Sequence, residues 1–342
     1  MGLPDVVAMI VFLGALLYAV FGGADFGSGF WDLTAGDARR GGEVRRLVDH
    51  SIGPVWEANH VWLIFVLVYL WTGFPQAFVQ IVSALYVPLS FAALGIVLRG
   101  SGFAFRKFAT NVRQAQVYGA AFALSSVVTP FFFGTAVGAL ASGRVPATGG
   151  VDRATVWLSP TSILGGVLAV LTCAFLAAVF MARDADRLGR TQLTAWFQRR
   201  GLAMGVVTGT VALLGVVVLA VDAPTLFDGL TGWALPIVGG SGVGGLATMW
   251  LLRAGRYGTA RLAAVTSVAL IVAGWGVGQY PWLLVDQLTI ADAAGATATL
   301  WGLVFAFLAA TVLVVPPLGY LLWLTDRGML GAESPHTTQD AT

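Results

Sequence analysis

Apolar residues run along this chain in stretches of about twenty, one after another, with polar residues confined to short breaks between them. The stretches fall near Val6–Phe26, Pro54–Thr72, Ala77–Leu98, Val117–Leu140, Thr161–Ala182, Leu202–Val221, Trp233–Leu252, Leu262–Gln279 and Ala298–Leu324. Each is long enough to cross the roughly 30 Å hydrocarbon core of a bilayer as an α-helix. The pattern predicts an all-α integral membrane protein of about nine transmembrane helices. The last run is long enough to tilt or to project beyond the core. Residues 1–26 have no basic segment and no small-residue cleavage site before Asp25, so they read as a retained first helix and not a signal peptide. The membrane domain is expected over 1–327. The polar stretch 328–342, GMLGAESPHTTQDAT, is expected to be a disordered cytoplasmic tail.

The breaks provide a test independent of hydropathy, because cytoplasmic loops collect Lys and Arg. Alternate breaks hold Arg39, Arg40, Arg45 and Arg46; Arg99, Arg106, Lys107 and Arg113; Arg183, Arg187, Arg190, Arg199 and Arg200; and Arg253, Arg256 and Arg261, with Arg327 after the last run. The other four breaks hold Arg144 and Arg153. A missed or invented helix would break this alternation. It places the N-terminus outside the cell and the C-terminus in the cytoplasm, with residues 27–53 as the longest cytoplasmic connector.

Composition agrees: 57% of residues are hydrophobic and 11% charged, with a mean hydropathy of +0.82. Soluble domains carry about 25% charged residues. Cys173 is the one cysteine, which excludes an internal disulfide, a CxxCH haem attachment and an iron–sulfur framework. Nothing points to nucleic acid as a partner.

The informative residues are the polar groups within spans, each costing a few kcal/mol at mid-bilayer. Asp25 lies in YAVFGGADFGSGFWDL, at the cytoplasmic end of the first helix. Glu57 and His60 lie in SIGPVWEANHVWLI, in the first turns of the second, three residues apart and so on one helix face. The two carboxylates are thus expected at similar depth near the same membrane face. Glu57 reads either as a helix-start carboxylate favoured by the macrodipole or as a proton-conducting acid, and the two are compatible. Asp25 reads as a residue snorkelling to the headgroups or, given Gly22, Gly23, Gly27 and Gly29 around it, as a buried, packed one. His60 lacks the second intramembrane histidine that a bis-His haem needs. The others are His50 in a connector and His336 in the tail, so His60 reads as a network member. Trp31, Trp56, Trp62, Trp71, Trp233 and Trp282 fall near span ends as belt residues, although Trp56 can pack inward beside Glu57. The proline runs TPFFFGTA (129–136) and VVPPLGY (314–320) read as kinks or as a groove for an isoprenoid tail.

These segments resemble a known family. GGADFGSG, then SIGPVWEANHVWLI with Gly53, Pro54, Trp56, Asn59, Val61 and Trp62, then LRGSGFAFRK look like the N-terminal half of subunit II of the cytochrome bd quinol oxidases. Beyond about residue 140 the likeness rests on length, helix number and hydropathy. The resemblance implies two four-helix bundles plus one peripheral helix. It also implies a partner of similar fold, subunit I, which carries the quinol site and the b and d haems, so no haem is expected on this chain. The complex oxidises quinol and reduces O₂ to water with cytoplasmic protons, in a bacterial plasma membrane. Asp25 and Glu57 match acids linked to proton uptake, with Trp56, Asn59, His60 and Arg99 as the supporting network. Some branches have Gln at the position of His60. Small single-helix subunits, membrane lipids and a bound quinone or lipid are compatible with this reading. A secondary transporter would also carry many helices and buried carboxylates, but its usual paired broken helices are not evident. A purely architectural membrane subunit is the third alternative.

Overall fold

The computed structural model describes residues 2–36, 41–53, 56–106, 108–149 and 155–326. The expected tail 328–342, and Arg39, Arg40, Pro54, Lys107, Arg153 and Arg327, lie outside the described residues.

The first span is longer than its apolar run. Helix α1, Leu3–Leu17, passes through a π-helical turn at Tyr18–Gly22 into α2, Gly23–Thr34, giving 32 continuous residues. The described part of the 27–53 connector is therefore mostly helical, because α3, Gly42–Ile52, is the next helix after α2. It is amphipathic and buries Val44, Leu47, Val48 and Ile52. Helix α4, Trp56–Gly73, leaves it at a 56° bend. Next come α5, Pro75–Ala84, and α6, Tyr86–Arg106, so the third span lies further along the chain than the Ala77–Leu98 run implies. Helix α7, Val112–Ala141, begins with the Asn111 side chain accepting from the Gln114 N–H and contains Pro130. Helix α8, Pro160–Arg187, begins with Ser159 as cap and proline in its first turn, where the missing N–H costs nothing.

The second half continues with α9, Thr191–Asp222; the short α10, Pro224–Thr231; α11, Leu235–Arg253; and α12, Tyr257–Gln279. The strands β1, Trp282–Leu284, and β2, Leu288–Thr289, pair antiparallel, an exception to all-α among the described residues. Helices α13, Ile290–Ala293, and α14, Thr297–Asp326, complete the chain. Among the described residues, eight helices are long and apolar enough to cross a membrane, or nine if the bent pair α3 and α4 forms one span.

Packing sorts these spans into two groups of four. In the first, α1 lies along α4, α2 along α7, and α6 along α7; in the second, α8 lies along α9 and α12, and α11 along α9 and α12. The groups meet where α8 contacts α2 and α7, and α14 rests on α1 and α4 at the periphery. The central seam is backbone-close at Gly27, where an added Cβ would stand 1.8 Å from the Cys173 carbonyl oxygen. Only glycine allows that approach, which brings α2 against α8.

Two expectations are corrected by this geometry. Arg99 is not a loop charge: it lies inside α6 and is 0% exposed. Arg199 and Arg200 likewise sit within α9. The helices persist past their apolar runs, and α6 carries Arg99 into the interior, where Asp25 pairs with it. Trp31 is not a belt residue either. It is 4% exposed, and its indole N–H donates to the Ala174 carbonyl at 2.9 Å. Trp71 and Trp233 remain exposed, as belt positions require.

Candidate functional site

Asp25 is the third residue of α2, just past the π-helical turn. Such i→i+5 turns are rare and often occur at functional sites. Here Tyr18 folds across Gly22, whose absent Cβ would stand 3.0 Å from its ring. The turn sets the face on which Asp25 emerges. That face is inward: Asp25 is buried, as its glycine-rich surroundings indicated.

Its partner is Arg99. Nη2 donates to Oδ1 of Asp25 at 2.6 Å and to the Asp25 carbonyl at 3.1 Å, while Nε donates to Oγ of Ser126 at 3.0 Å. Ser126 in turn donates to the Phe122 carbonyl. The guanidinium lies 5.0 Å from the ring centroids of both Phe26 and Phe122, so cation–π attraction adds to the ion pair. A side chain at Gly29 would collide with Ser126, and one at Gly95 with Thr129; α2, α6 and α7 close on the arginine through these gaps.

A second rung lies seven residues further along both helices. Asp32 of α2, 4% exposed, accepts from Arg106 of α6 at 2.6 Å and from Arg45 of α3 at 2.7 Å. Arg106 also pairs with Asp49 of α3. Seven residues are about two helical turns, roughly 10.5 Å. Asp25 and Asp32 therefore share one face of α2, matched by Arg99 and Arg106 on α6. Asp32 was not among the residues the sequence singled out, yet the equal spacing of opposite charges on two spans was a readable signal.

Near the inner rung stand His60 and Tyr18. Their rings lie 6.1 Å apart, and 6.0 Å and 6.3 Å from Phe26. The structure thus brings Asp25, Arg99 and His60 together. Asn59 is buried nearby on α4, and Trp56 packs on Phe103 at 5.6 Å and against Gly100, one residue past Arg99. Glu57 stands apart. It is exposed in the first turn of α4 and makes no hydrogen bond or ion pair among the described residues. The two carboxylates are consequently not equivalent: one is locked inside, the other faces outward. Glu57 heads an exposed apolar stripe on α4 formed by Val61, Ile64, Val68 and Trp71.

At the opposite end of the bundle, Arg144 pairs with Asp222 at 2.6 Å, and Thr161 donates to the same carboxylate. The described residues contain no group of three His, Cys, Asp or Glu side chains disposed to hold a metal ion. The rings packed against His60 are those of Tyr18 and Phe26.

Comparison with known proteins bears on this arrangement. The family model described as cytochrome bd terminal oxidase subunit II matches residues 3–325. Cytochrome bd ubiquinol oxidase subunit 2 of Bacillus subtilis (strain 168) is 29% identical over 132 residues, covering 38% of this chain and 39% of that protein. Cytochrome bd-I ubiquinol oxidase subunit 2 of Escherichia coli (strain K12) is 29% identical over 169 residues, covering 46% and 43%. The chain thus aligns with about two fifths of the length of these two relatives. A chain of the bd oxidase from Geobacillus thermodenitrificans superposes with a TM-score of 0.81 and 26% identity, covering 95% of this chain and 98% of that one. With a family match of this extent and a fold shared almost end to end, the chain belongs to the cytochrome bd terminal oxidase subunit II family.

Proposed function

We propose that this chain is the haem-free subunit of a quinol-oxidising bd-type terminal oxidase and delivers cytoplasmic protons to a haem-bearing partner, subunit I. Family membership favours this over a secondary transporter, and the relatives' names supply the quinol. The b and d haems belong to the partner in this reading, as does the quinol site. The basic end of the bundle faces the cytoplasm, following the rule that Lys and Arg gather there. The N-terminus is outside and the C-terminus inside a bacterial plasma membrane.

The observation that carries the proposal is the asymmetry between the two carboxylates. O₂ reduction at a buried haem needs one proton per electron, and the hydrocarbon core holds no bulk water to supply it. A carboxylate placed on an apolar helix stripe costs a few kcal/mol against lipid. Glu57 is so placed, and the economical explanation is that the partner covers this face and takes protons from it. Asp25 has one oxygen committed to Arg99 and keeps Oδ2 free of any partner among the described residues. In this scheme Glu57 carries the transferred proton, and Asp25 with Arg99 holds the polar path open between the helices. Trp56 and Asn59 fix the α4 turn that bears Glu57.

Co-expression tests the subunit assignment. The purified chain alone should show no haem absorbance, and co-purification with its haem-bearing partner should restore the full spectrum and quinol-driven O₂ consumption. Stoichiometric haem on the isolated chain would overturn the assignment.

A further inference from the structure

Four buried polar atoms around the Phe26 ring have no hydrogen-bond partner among the described residues: Tyr18 OH, Asp25 Oδ2, His60 Nδ1 and Arg99 Nη1. A fifth, Thr129 Oγ1, lies on α7 one turn from Ser126, the residue that receives Arg99 Nε. Buried polar atoms are rarely left without partners, and five in one neighbourhood is not the scatter expected of a packed core. Three aromatic rings, those of Tyr18, Phe26 and His60, hold the group together at 6.0–6.3 Å spacings, and Arg99 is clasped at 5.0 Å from the Phe26 centroid. The donors and acceptors are mixed: a guanidinium N–H donates, a carboxylate oxygen accepts, and the hydroxyls do both. Direct pairing is geometrically taken up elsewhere, since Arg99 already gives Nη2 to Asp25 and Nε to Ser126.

We infer that these atoms share a cluster of ordered water, and that Tyr18 and His60 are positioning residues that connect it to the α4 face carrying Glu57. A buried water makes two to four hydrogen bonds, so five such atoms call for at least two molecules. The π-helical turn is the local device: it turns the Tyr18 hydroxyl inward about two turns before Asp25. His60 is three residues from Glu57 on α4 but turned inward against Tyr18 and Phe26, which makes it the link from the exposed carboxylate to the buried pair. A proton arriving on one water leaves from another, with one O–H bond formed for each one broken. The inference rests on the proton-delivery reading for its purpose but not for its existence, because the cluster follows from the unpaired atoms alone.

A map of the assembled oxidase that resolves ordered water is the first test. At least two waters are expected, each within about 3 Å of two of the named atoms. Absence of water there, or direct pairing of His60 Nδ1 and Tyr18 OH with side chains of the partner, overturns the inference. The second test is Tyr18→Phe, which removes only the hydroxyl. With haem content equal to wild type, it should slow quinol-driven O₂ consumption at least about threefold and raise the solvent deuterium isotope effect. A wild-type rate and isotope effect would remove Tyr18 from the path. If Glu57→Gln slows turnover and Tyr18→Phe does not, proton delivery stands and the node fails alone. Should the variant not assemble, the water map of the wild-type complex decides.

Discussion

Arg99 donates from Nη2 to Oδ1 of Asp25 across 2.6 Å, with neither side chain more than 2% exposed. A buried pair of this kind gives little net stability, but breaking it strands a charge. Removing one partner is therefore worse than removing both. Arg99→Leu should cost about 3–5 kcal/mol of stability, seen as loss of assembled complex from membranes. Arg99→Leu combined with Asp25→Leu should recover much of the yield. Equal yields for the single and the double variant would mean that the pair is not what the fold depends on.

The α2–α8 seam makes a sharper steric prediction. Gly27→Ala puts a methyl group 1.8 Å from the Cys173 carbonyl oxygen, a backbone atom that cannot rotate away. Thermal inactivation of the oxidase should shift to lower temperature. Gly42→Ala, where nothing lies within 4 Å, should leave it unchanged and serves as the control.

Orientation can be read with a single cysteine. Glu43, exposed on α3, belongs to the basic end, and the native Cys173 is buried and silent. Glu43→Cys should react with an impermeant maleimide only in inside-out vesicles. Labelling from outside intact cells would invert the topology.

His60→Gln keeps a hydrogen-bonding side chain on α4 but cannot replace an axial ligand. Every haem band of the assembled oxidase should persist. Loss of one haem with assembly preserved would make His60 a ligand after all.

The spans were legible because bilayer thickness fixes their length, and because Arg gathers in alternate breaks of the apolar pattern. The burial of Asp25 was legible in Gly22, Gly23, Gly27 and Gly29. Arg99 was misread because arginine near a span end ordinarily marks a loop, and one buried opposite an aspartate looks identical in one dimension. Only the matched seven-residue spacing, Asp25 to Asp32 and Arg99 to Arg106, distinguishes them. The π-helical turn has no residue signature, so neither Tyr18 nor its contact with His60 was foreseeable. Glu57 was expected at a depth similar to that of Asp25, and its outward position depends on the rotation of α4, which an unpatterned apolar helix does not encode.

The division of labour between the two acids is tested most directly by turnover of Glu57→Gln, a change that preserves shape and removes titration. Quinol-driven O₂ consumption should fall at least about tenfold, roughly 1.4 kcal/mol in the barrier, with haem content unchanged. Glu57→Asp, which retains the acid, should keep much of the activity. A fully haem-loaded Glu57→Gln oxidase turning over at the wild-type rate would contradict proton delivery through this residue and leave Glu57 as a helix-start carboxylate.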